Sequence, residues 1–311
     1  MPEHAPPVPN PTAPITAPAP AKINLDLLVT GRRDDGYHTL DTLVTFAGAR
    51  DTVTARAMPG DAPPFGLEIT GPFAPALAAA CPDPAANLAV RAAAALRVLA
   101  ERNGHAVPPT HLSLHKALPV ASGIGGGSAD AAAAIDACIR LWGLPRDMDG
   151  VEHMLRHLGA DLPMCLLRRP LRATGAGERL RRVAMPALTL VLANPGVAVS
   201  TPDVFARREG AFTPQPERPA GFDAPDDLLR HLAATRNDLE APARALAPEI
   251  GDVLDALERA SGCRLARMSG SGATCFGIFA KVDEAVAAAH MIGEAHPDWW
   301  VAATKTTAGR P

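Results

Sequence analysis

The chain has 311 residues, of which 47% are hydrophobic, so it can build two domains of ordinary size, each with its own core. Its formal net charge at pH 7 is -3, with acidic and basic residues interspersed, which excludes a basic surface for nucleic acid. No segment reaches the roughly 18 uninterrupted apolar residues of a membrane span, so a membrane partner is not expected.

Cysteine usage indicates the compartment. The five cysteines are odd in number, scattered and without CxxC spacing, which argues against a disulfide framework and against a zinc site. We therefore expect a reducing, cytoplasmic location. Monomer and homodimer both remain open.

The chain begins with a segment rich in proline and alanine that lacks the basic start and apolar run of a secretory signal. We predict a disordered tail over residues 1–18. The basic, irregular stretch Arg168 to Arg182 precedes a fresh strand, so it favours a first domain over residues 19–182 and a second over residues 183–311.

The first predicted strand has a polar face. Apolar residues alternate from Ile23 to Val29, which places Lys22, Asn24 and Asp26 together on the opposite face. A break at residues 31–36 and a second β-like run, 39–46, predict a hairpin with this strand, and the run 51–57 predicts a continuation of the same sheet. We assign no role to Asp26 from the sequence.

Helical and strand patterns then follow each other. Apolar spacing after the possible N-cap Asn87 predicts a helix, and the alternation in 112–116 predicts a strand. A second helix is predicted to begin near Ser128. The proline-rich stretch 213–225 is typical of a surface loop within the second domain, and the chain ends as strand, glycine-rich turn, strand, helix, strand.

The strand-to-helix junction at Pro119 to Asp130 contains four glycines in five positions. Such a loop can turn its backbone N–H groups toward one point, and the following helix adds the positive end of its dipole, so together they can hold phosphate. A flexible turn without a ligand is the alternative. A Walker loop is excluded because no Gly-Lys-Ser/Thr follows, and the dinucleotide pattern fails because Ser128 replaces its third glycine.

This loop resembles the phosphate loop of the GHMP kinases in Gly123 to Ala129. Four further segments occur in the order that this family shows. Pro20 to Asn24 and Asp35 to His38 resemble the N-terminal signature of the branch that phosphorylates a diphosphocytidyl-linked methylerythritol. Gly159 to Pro163 resembles the catalytic aspartate segment, and Met268 to Ala273 the C-terminal glycine loop.

The resemblance implies an α+β fold with a phosphate loop in the N-terminal domain and a ferredoxin-like C-terminal domain. It also implies an ATP-dependent kinase with magnesium, with Asp161 as the base and Lys22 as its charge partner near the acceptor hydroxyl. From the residues alone, Asp161 is equally well a helix cap or a surface turn, and the residue pattern favours an exposed strand end for Lys22. No magnesium ligand is assigned; Ser128 and Asp130 are candidates.

The remaining site residues follow from the same resemblance. The ATP site is expected to comprise Pro119, Val120, Ala121, Ser122, Gly123, Ile124, Gly125, Gly126, Gly127 and Ser128. The cytidyl substrate is expected to contact Asn24, Tyr37, His38, Phe205, Gly270, Ser271 and Gly272. Tyr37 is the only tyrosine of the chain and offers a plane on which a pyrimidine can stack. A glycine or two is usual in this branch at positions 120–122, so we expect the phosphate contacts at Gly125 to Ser128.

Three other functions compete with this interpretation of the sequence. A mevalonate or homoserine kinase would share the glycine loops but would not need Tyr37 and His38. A non-catalytic, ligand-sensing relative would not need both Lys22 and Asp161. An NAD-binding dehydrogenase is disfavoured by the failed glycine spacing.

Overall fold

A computed structural model describes residues 13–309, which form two β-sheets with helices packed on them. The first sheet has seven strands and comes from the first part of the chain. Its strands are β1 (Ile15–Asn24), β2 (Leu28–Arg32), β3 (His38–Ala57), β4 (Phe65–Thr70), β5 (Thr110–His115), β6 (Leu171–Gly175) and β7 (Arg179–Arg182).

The long strand β3 organises this sheet, because it pairs with β1, β2, β5 and β6. Within the described residues, β1 pairs with β3 alone. It tolerates Pro18 and Pro20, since an edge strand needs no N–H donor on its open side. A register shift between Pro20 and Lys22 frees the Lys22 N–H, which donates to the Ile124 carbonyl at 2.9 Å.

Helices of the first domain cover one face of the sheet. They are α1 (Ala74–Ala80), α2 (Leu88–Arg102), α3 (Gly126–Trp142), α4 (Val151–Leu158) and α5 (Leu162–Leu167). The predicted cap of α2 is confirmed, because the Asn87 side chain accepts from the Ala89 N–H at 2.9 Å. Small alanines along α3 let it pack closely on α2 and β1.

The second sheet has four antiparallel strands in the order β11-β8-β10-β9. Its strands are β8 (Thr189–Asn194), β9 (Cys263–Met268), β10 (Cys275–Phe279) and β11 (Trp300–Lys305), and its helices are α6 (Thr201–Ala206), α7 (Pro225–Ala233), α8 (Glu240–Leu246), α9 (Glu249–Arg259) and α10 (Val282–Ala295). With α9 and α10 as crossovers, the order is β-α-β-β-α-β, which confirms the ferredoxin-like expectation.

The sheets divide the chain between Arg182 and Thr189, which supports our proposed boundary between residues 182 and 183. The tail expected over residues 1–18 is too long at its end, because β1 begins at Ile15; residues 1–12 lie outside the described part. Between residues 13 and 309, no helix is both long and apolar enough to cross a bilayer.

Three details of the sequence interpretation were wrong. The run Ile23 to Val29 is not one strand, because β1 ends at Asn24 and β2 begins at Leu28. The expected hairpin is confirmed, because β2 and β3 pair antiparallel on either side of the turn at residues 33–37. The runs 39–46 and 51–57, however, are not separate strands, since β3 continues through residues 47–50. The proline-rich stretch forms no helix or strand before α7 begins at Pro225, but it is not only a surface loop, since the Arg218 side chain within it is 1% exposed and contacts the first domain.

Candidate active site

A cleft of about 690 Å³ lies where the glycine loop of the first domain faces the second domain. Fifteen of the residues expected at the site line it. They are Lys22, Asn24, Pro119, Val120, Ala121, Ser122, Gly123, Gly125, Gly126, Gly127, Ser128, Asp161, Phe205, Gly270 and Ser271. The sheets and helices therefore bring together segments that are far apart in the chain.

Lys22 and Asp161 form an ion pair across this cleft. The Lys22 Nζ lies 2.7 Å from the Asp161 Oδ2, and the side chains are 8% and 37% exposed. Asp161 occupies the N-cap position of α5, but its side chain makes no capping hydrogen bond. The carboxylate is thus held by an ammonium group and remains open to the cleft, as a base that receives a substrate hydroxyl must be.

The glycine loop has the backbone shape that phosphate binding requires. Gly123 and Gly125 have φ angles of +72° and +65°, in the left-handed region that favours glycine. Gly125 caps α3, and a Cβ there would lie 3.2 Å from the Lys22 Cβ. At Gly127, by contrast, a Cβ would meet no heavy atom within 4 Å. The space in front of the first turn of α3 is therefore open.

The C-terminal glycine loop packs directly on this phosphate loop. A Cβ on Gly123 would lie 2.4 Å from the Gly272 carbonyl oxygen, and one on Gly270 would lie 2.6 Å from the Gly123 carbonyl oxygen. The Thr274 N–H also donates to the Ser122 carbonyl at 3.1 Å. Only glycines permit two backbones to approach so closely. The two domains thus build one continuous floor of the cleft.

A buried charge cluster lies beneath the start of α3. The Lys116 Nζ is 2.5 Å from the Asp51 Oδ2 and 2.8 Å from the Asp130 Oδ2, and all three side chains are at most 5% exposed. Backbone N–H groups of Ala117 and Leu118 donate to the other Asp51 oxygen. A Cβ on Gly126 would lie 3.2 Å from the Lys116 Nζ, so this ammonium group sits directly under the glycine loop.

In this cluster, the single lysine forms ion pairs with two carboxylates. Burial, together with the nearby Asp51 charge, raises the pKa of Asp130 to about 7, although Lys116 opposes the shift. The pKa of Lys116 is raised by both carboxylates in spite of its burial. The lysine therefore stays charged, and Asp130 is the carboxyl group that takes up a proton near neutral pH.

The cleft is also lined by Asn24, whose amide has a defined orientation. Its Nδ2 donates to the Thr42 Oγ1 at 2.9 Å, and the Thr42 hydroxyl in turn donates to the Asp26 carbonyl oxygen. The Asn24 Oδ1 is buried and has no partner among the described residues. It lies near Gly270, whose hypothetical Cβ would be 3.4 Å away. An unpartnered buried acceptor in a cleft fits a hydroxyl donor of a ligand.

Aromatic residues close one end of the cleft. The rings of His38 and Phe205 stack with centroids 4.9 Å apart and planes 18° apart. Burial and the charges of Arg32 and Arg208 lower the pKa of His38, so its ring is neutral at pH 7 and offers one donor and one acceptor. The Tyr37 side chain is 68% exposed at the turn before β3 and does not line the cleft.

Three other expected residues also differ from the expectation. The Ile124 side chain is fully buried in the core, so only its backbone can take part in the loop. Gly272 and His38 border the cleft through Gly123 and Phe205 without lining it. Ala121 does line the cleft, but its φ of +51° is in the left-handed range that favours glycine. Glycine is also usual in this branch at positions 120–122.

The residues between 13 and 309 contain no group of three or more His, Cys, Asp or Glu side chains placed to hold a metal ion. Asp130 fits magnesium poorly, because its carboxyl group faces Lys116 and retains a proton near neutrality. Ser128, in the first turn of α3, lines the cleft and remains the better candidate. A magnesium ion held mainly by phosphates and water would suit such a site.

Sequence reasoning missed Lys116, Asp51, Thr42 and Arg218. The only local signal was for Lys116, which follows directly on the alternating strand β5 and precedes the glycine loop. The partners of these residues are up to 192 positions away along the chain, as for Arg218 and Asp26. No periodicity reveals such pairs.

Comparison with known proteins gives two family matches. The model for the GHMP kinases N terminal domain matches residues 87–169, and the model for the GHMP kinases C terminal matches residues 222–298. Curated relatives match over nearly the whole chain. A 4-diphosphocytidyl-2-C-methyl-D-erythritol kinase from Cereibacter sphaeroides is 52% identical over 289 residues, which cover 91% of this chain and 96% of that protein. One of the same name from Rhizobium etli is 48% identical, covering 95% and 96%.

Solved structures agree with these matches. A crystal structure of 4-(cytidine 5'-diphospho)-2C-methyl-D-erythritol kinase has a TM-score of 0.75 and 33% identity, covering 94% of this chain and 100% of that chain. A homoserine kinase from Cytophaga hutchinsonii has a TM-score of 0.65 at 17% identity, covering 95% of each chain, which is evidence for the fold alone.

Proposed function

Because this chain belongs to the GHMP kinase family, and within it to the 4-diphosphocytidyl-2-C-methyl-D-erythritol kinases, we propose specific roles for the residues of its cleft. The chain is a small-molecule phosphotransferase that phosphorylates this cytidyl compound in the non-mevalonate isoprenoid precursor pathway. The acceptor is a hydroxyl group of the erythritol moiety, and the phosphoryl donor is ATP.

Asp161 is the proposed base and Lys22 its charge partner. The observation that carries this proposal is their 2.7 Å contact beside the glycine loop. The carboxylate orients the acceptor hydroxyl and takes its proton, while the ammonium group holds the carboxylate and meets negative charge that develops on the transferred phosphoryl group. A non-catalytic relative would have no need of this paired, cleft-facing geometry.

ATP is proposed to bind with its phosphates in front of Gly125 to Ser128. The open space at Gly127 leaves room for them, and the N-terminus of α3 points its free N–H groups there. Lys116 adds a buried positive charge below the loop. Magnesium, when bound, would neutralise phosphate charge, with Ser128 as the candidate protein ligand.

The cytidyl acceptor is proposed to lie between Asn24 and the aromatic residues. The Asn24 Oδ1 would accept a hydroxyl hydrogen bond, and Gly270 and Ser271 would flank the diphosphate. Phe205 would stack on the cytosine ring, His38 would hydrogen-bond its edge, and Tyr37 would cover it after the turn closes. A cytoplasmic location and a monomer or homodimer remain our expectations.

The test is ADP release from ATP with four acceptors offered separately: the cytidyl compound, mevalonate, homoserine and galactose. We expect turnover with the cytidyl compound at least about 100-fold above the others in kcat/KM, because only that compound uses the aromatic end of the cleft. Preference for mevalonate or homoserine would contradict the proposed acceptor site while leaving the kinase assignment intact.

A further inference from the structure

Arg218 is a buried charge in a segment of the second domain that forms no helix or strand. It lies in the segment between α6 and α7, yet its side chain is 1% exposed. It reaches into the first domain, where its Nη1 lies 2.7 Å from the Asp26 Oδ2 and its Nε lies 2.6 Å from the Asp41 Oδ1. Both carboxylates are fully buried. A guanidinium group so enclosed is held in a single geometry.

The two carboxylates flank the residue that orients Asn24. Asp41 directly precedes Thr42 on β3, and Asp26 supplies the carbonyl oxygen to which the Thr42 hydroxyl donates. Asp26 is fixed further by the Leu43 N–H, which donates to its Oδ1 at 2.8 Å. Arg218 therefore binds a carboxylate next to each partner of this hydrogen bond. Asp41 precedes the donor Thr42 on β3, and Asp26 itself provides the acceptor carbonyl in the bend after β1.

The direction of this chain of hydrogen bonds decides what Asn24 presents to a ligand. Because the Thr42 proton points to the Asp26 carbonyl, its oxygen is left as the acceptor for the Asn24 Nδ2. The amide oxygen is consequently turned the other way, toward Gly270, and has no hydrogen-bond partner within residues 13–309. If the Thr42 hydroxyl lost its direction, the Asn24 amide could rotate and offer a donor instead.

We propose that Arg218 is a positioning residue for the acceptor: through Asp26, Asp41 and Thr42 it fixes Asn24 so that the amide oxygen accepts a hydrogen bond from a hydroxyl group of the sugar alcohol. This rests on the proposed function of the cleft. It also gives Asp26 a role and explains why a proline-rich segment of the second domain is anchored in the first.

Other charges around the cluster fit this role. Arg172 on β6 also contacts Asp41, through Nε at 3.1 Å, so two arginines balance two carboxylates. The neutral His231 ring accepts from the Arg218 Nη1, with Nε2 3.0 Å away. Loss of Arg218 alone therefore leaves Asp26 as a buried carboxylate without an ion pair among the described residues, since the nearby Arg267 guanidinium donates to the Leu25 carbonyl instead. The bend after β1 should shift toward solvent as a result.

The experiment is steady-state kinetics of the full chain with ATP and the cytidyl acceptor varied separately. We expect Arg218→Met to raise the KM for the acceptor about 5- to 10-fold, the worth of one oriented hydrogen bond, with the KM for ATP within about 2-fold of wild type. In an Asn24→Ser background the same substitution should change the acceptor KM by less than about 2-fold, because the group it positions is gone.

Arg236→Met is the matched control. The Arg236 side chain is 66% exposed and binds Asp238 and Thr213, so it ties the same segment to the loop between α7 and α8 without touching Thr42 or its neighbours. We expect it to leave both KM values unchanged. An equal rise in both KM values for Arg218→Met, or an equal effect with and without Asn24, would overturn the proposal.

Substitutions at Thr42 provide a second test of the proposal, which is needed if the Arg218→Met protein fails to fold. Thr42→Val removes the relaying hydroxyl at nearly constant volume, and we expect the same acceptor-specific rise in KM, with recovery in Thr42→Ser. An unchanged acceptor KM in Thr42→Val refutes the relay. If the wild-type chain did not phosphorylate the cytidyl compound, the proposed acceptor would be wrong. The Arg218→Met and Asn24→Ser variants would then be compared with the acceptor that the wild-type chain does use.

Discussion

Gly127→Val tests the ATP site most directly, because the structure separates its effect on binding from any effect on folding. A Cβ at Gly127 meets nothing within 4 Å, and the φ angle there is not in the left-handed region. Valine is, if anything, a slightly better helix residue than glycine, so the free energy of unfolding should change by less than about 0.5 kcal/mol. The new side chain fills the space in front of the first turn of α3.

The magnitude follows from what a displaced phosphate would lose. A backbone N–H bond to a charged oxygen contributes about 1.5–3 kcal/mol, so the loss of one should weaken ATP binding about 10- to 150-fold. Isothermal titration with a non-hydrolysable ATP analogue measures this loss, and the KM for the cytidyl acceptor should stay within about 2-fold of wild type.

Gly293→Val is the matched control. Gly293 lies within α10, outside the cleft, and a Cβ there also meets nothing within 4 Å. Its ATP affinity should equal that of wild type. If the folded Gly127→Val protein bound the analogue with wild-type affinity, the phosphates would not lie in front of this turn, and the proposed ATP site would be wrong.

The remaining predictions concern catalysis, pH and the acceptor. Asp161→Asn should lower kcat about 10²- to 10⁴-fold with both KM values nearly unchanged, and adding Lys22→Met should lower it little further, because the pair acts as a unit. Asp130 has a pKa of about 7 in the folded chain against an ordinary 3.8, so the folded state binds more protons between these values. The free energy of unfolding should therefore fall as pH rises from about 4 to 7, and urea titrations at pH 5 and pH 8 should show a smaller fall in Asp130→Asn. Tyr37→Ala should weaken binding of the cytidyl acceptor about 5- to 150-fold in isothermal titration, the effect of losing one base stack, and leave ATP binding unchanged.

Each of these has a clear contrary result. Near-normal turnover in Asp161→Asn would remove its role as base. Parallel pH profiles for wild type and Asp130→Asn would mean that this carboxyl group does not titrate in the window. Unchanged acceptor affinity in Tyr37→Ala would mean that the turn stays open, as in the structure, and Phe205→Ala would then show whether the stack rests on that ring alone.

Local sequence determined much of this protein. Four glycines in five positions at a strand-to-helix junction require a loop with left-handed residues, and Gly123 and Gly125 have them. The alternation and helical spacing of the last 60 residues predicted strand, glycine-rich turn, strand, helix and strand, and β9, β10, α10 and β11 confirm this order. The ferredoxin-like arrangement was an expectation from the family resemblance. The family resemblance added the proposed roles of Lys22 and Asp161, which no pattern of single residues could supply.

Tertiary structure alone decided which charges meet. Asp26 looked like one more residue on the polar face of a strand, but the chain bends after Asn24 and buries it against Arg218, 192 positions away. Lys116 likewise finds Asp51 across the sheet and Asp130 on α3. A buried charge is tolerated only with its partners, and these partners are set by how strands and helices pack in three dimensions. The spacing of these residues along the chain therefore does not reveal which charges pair.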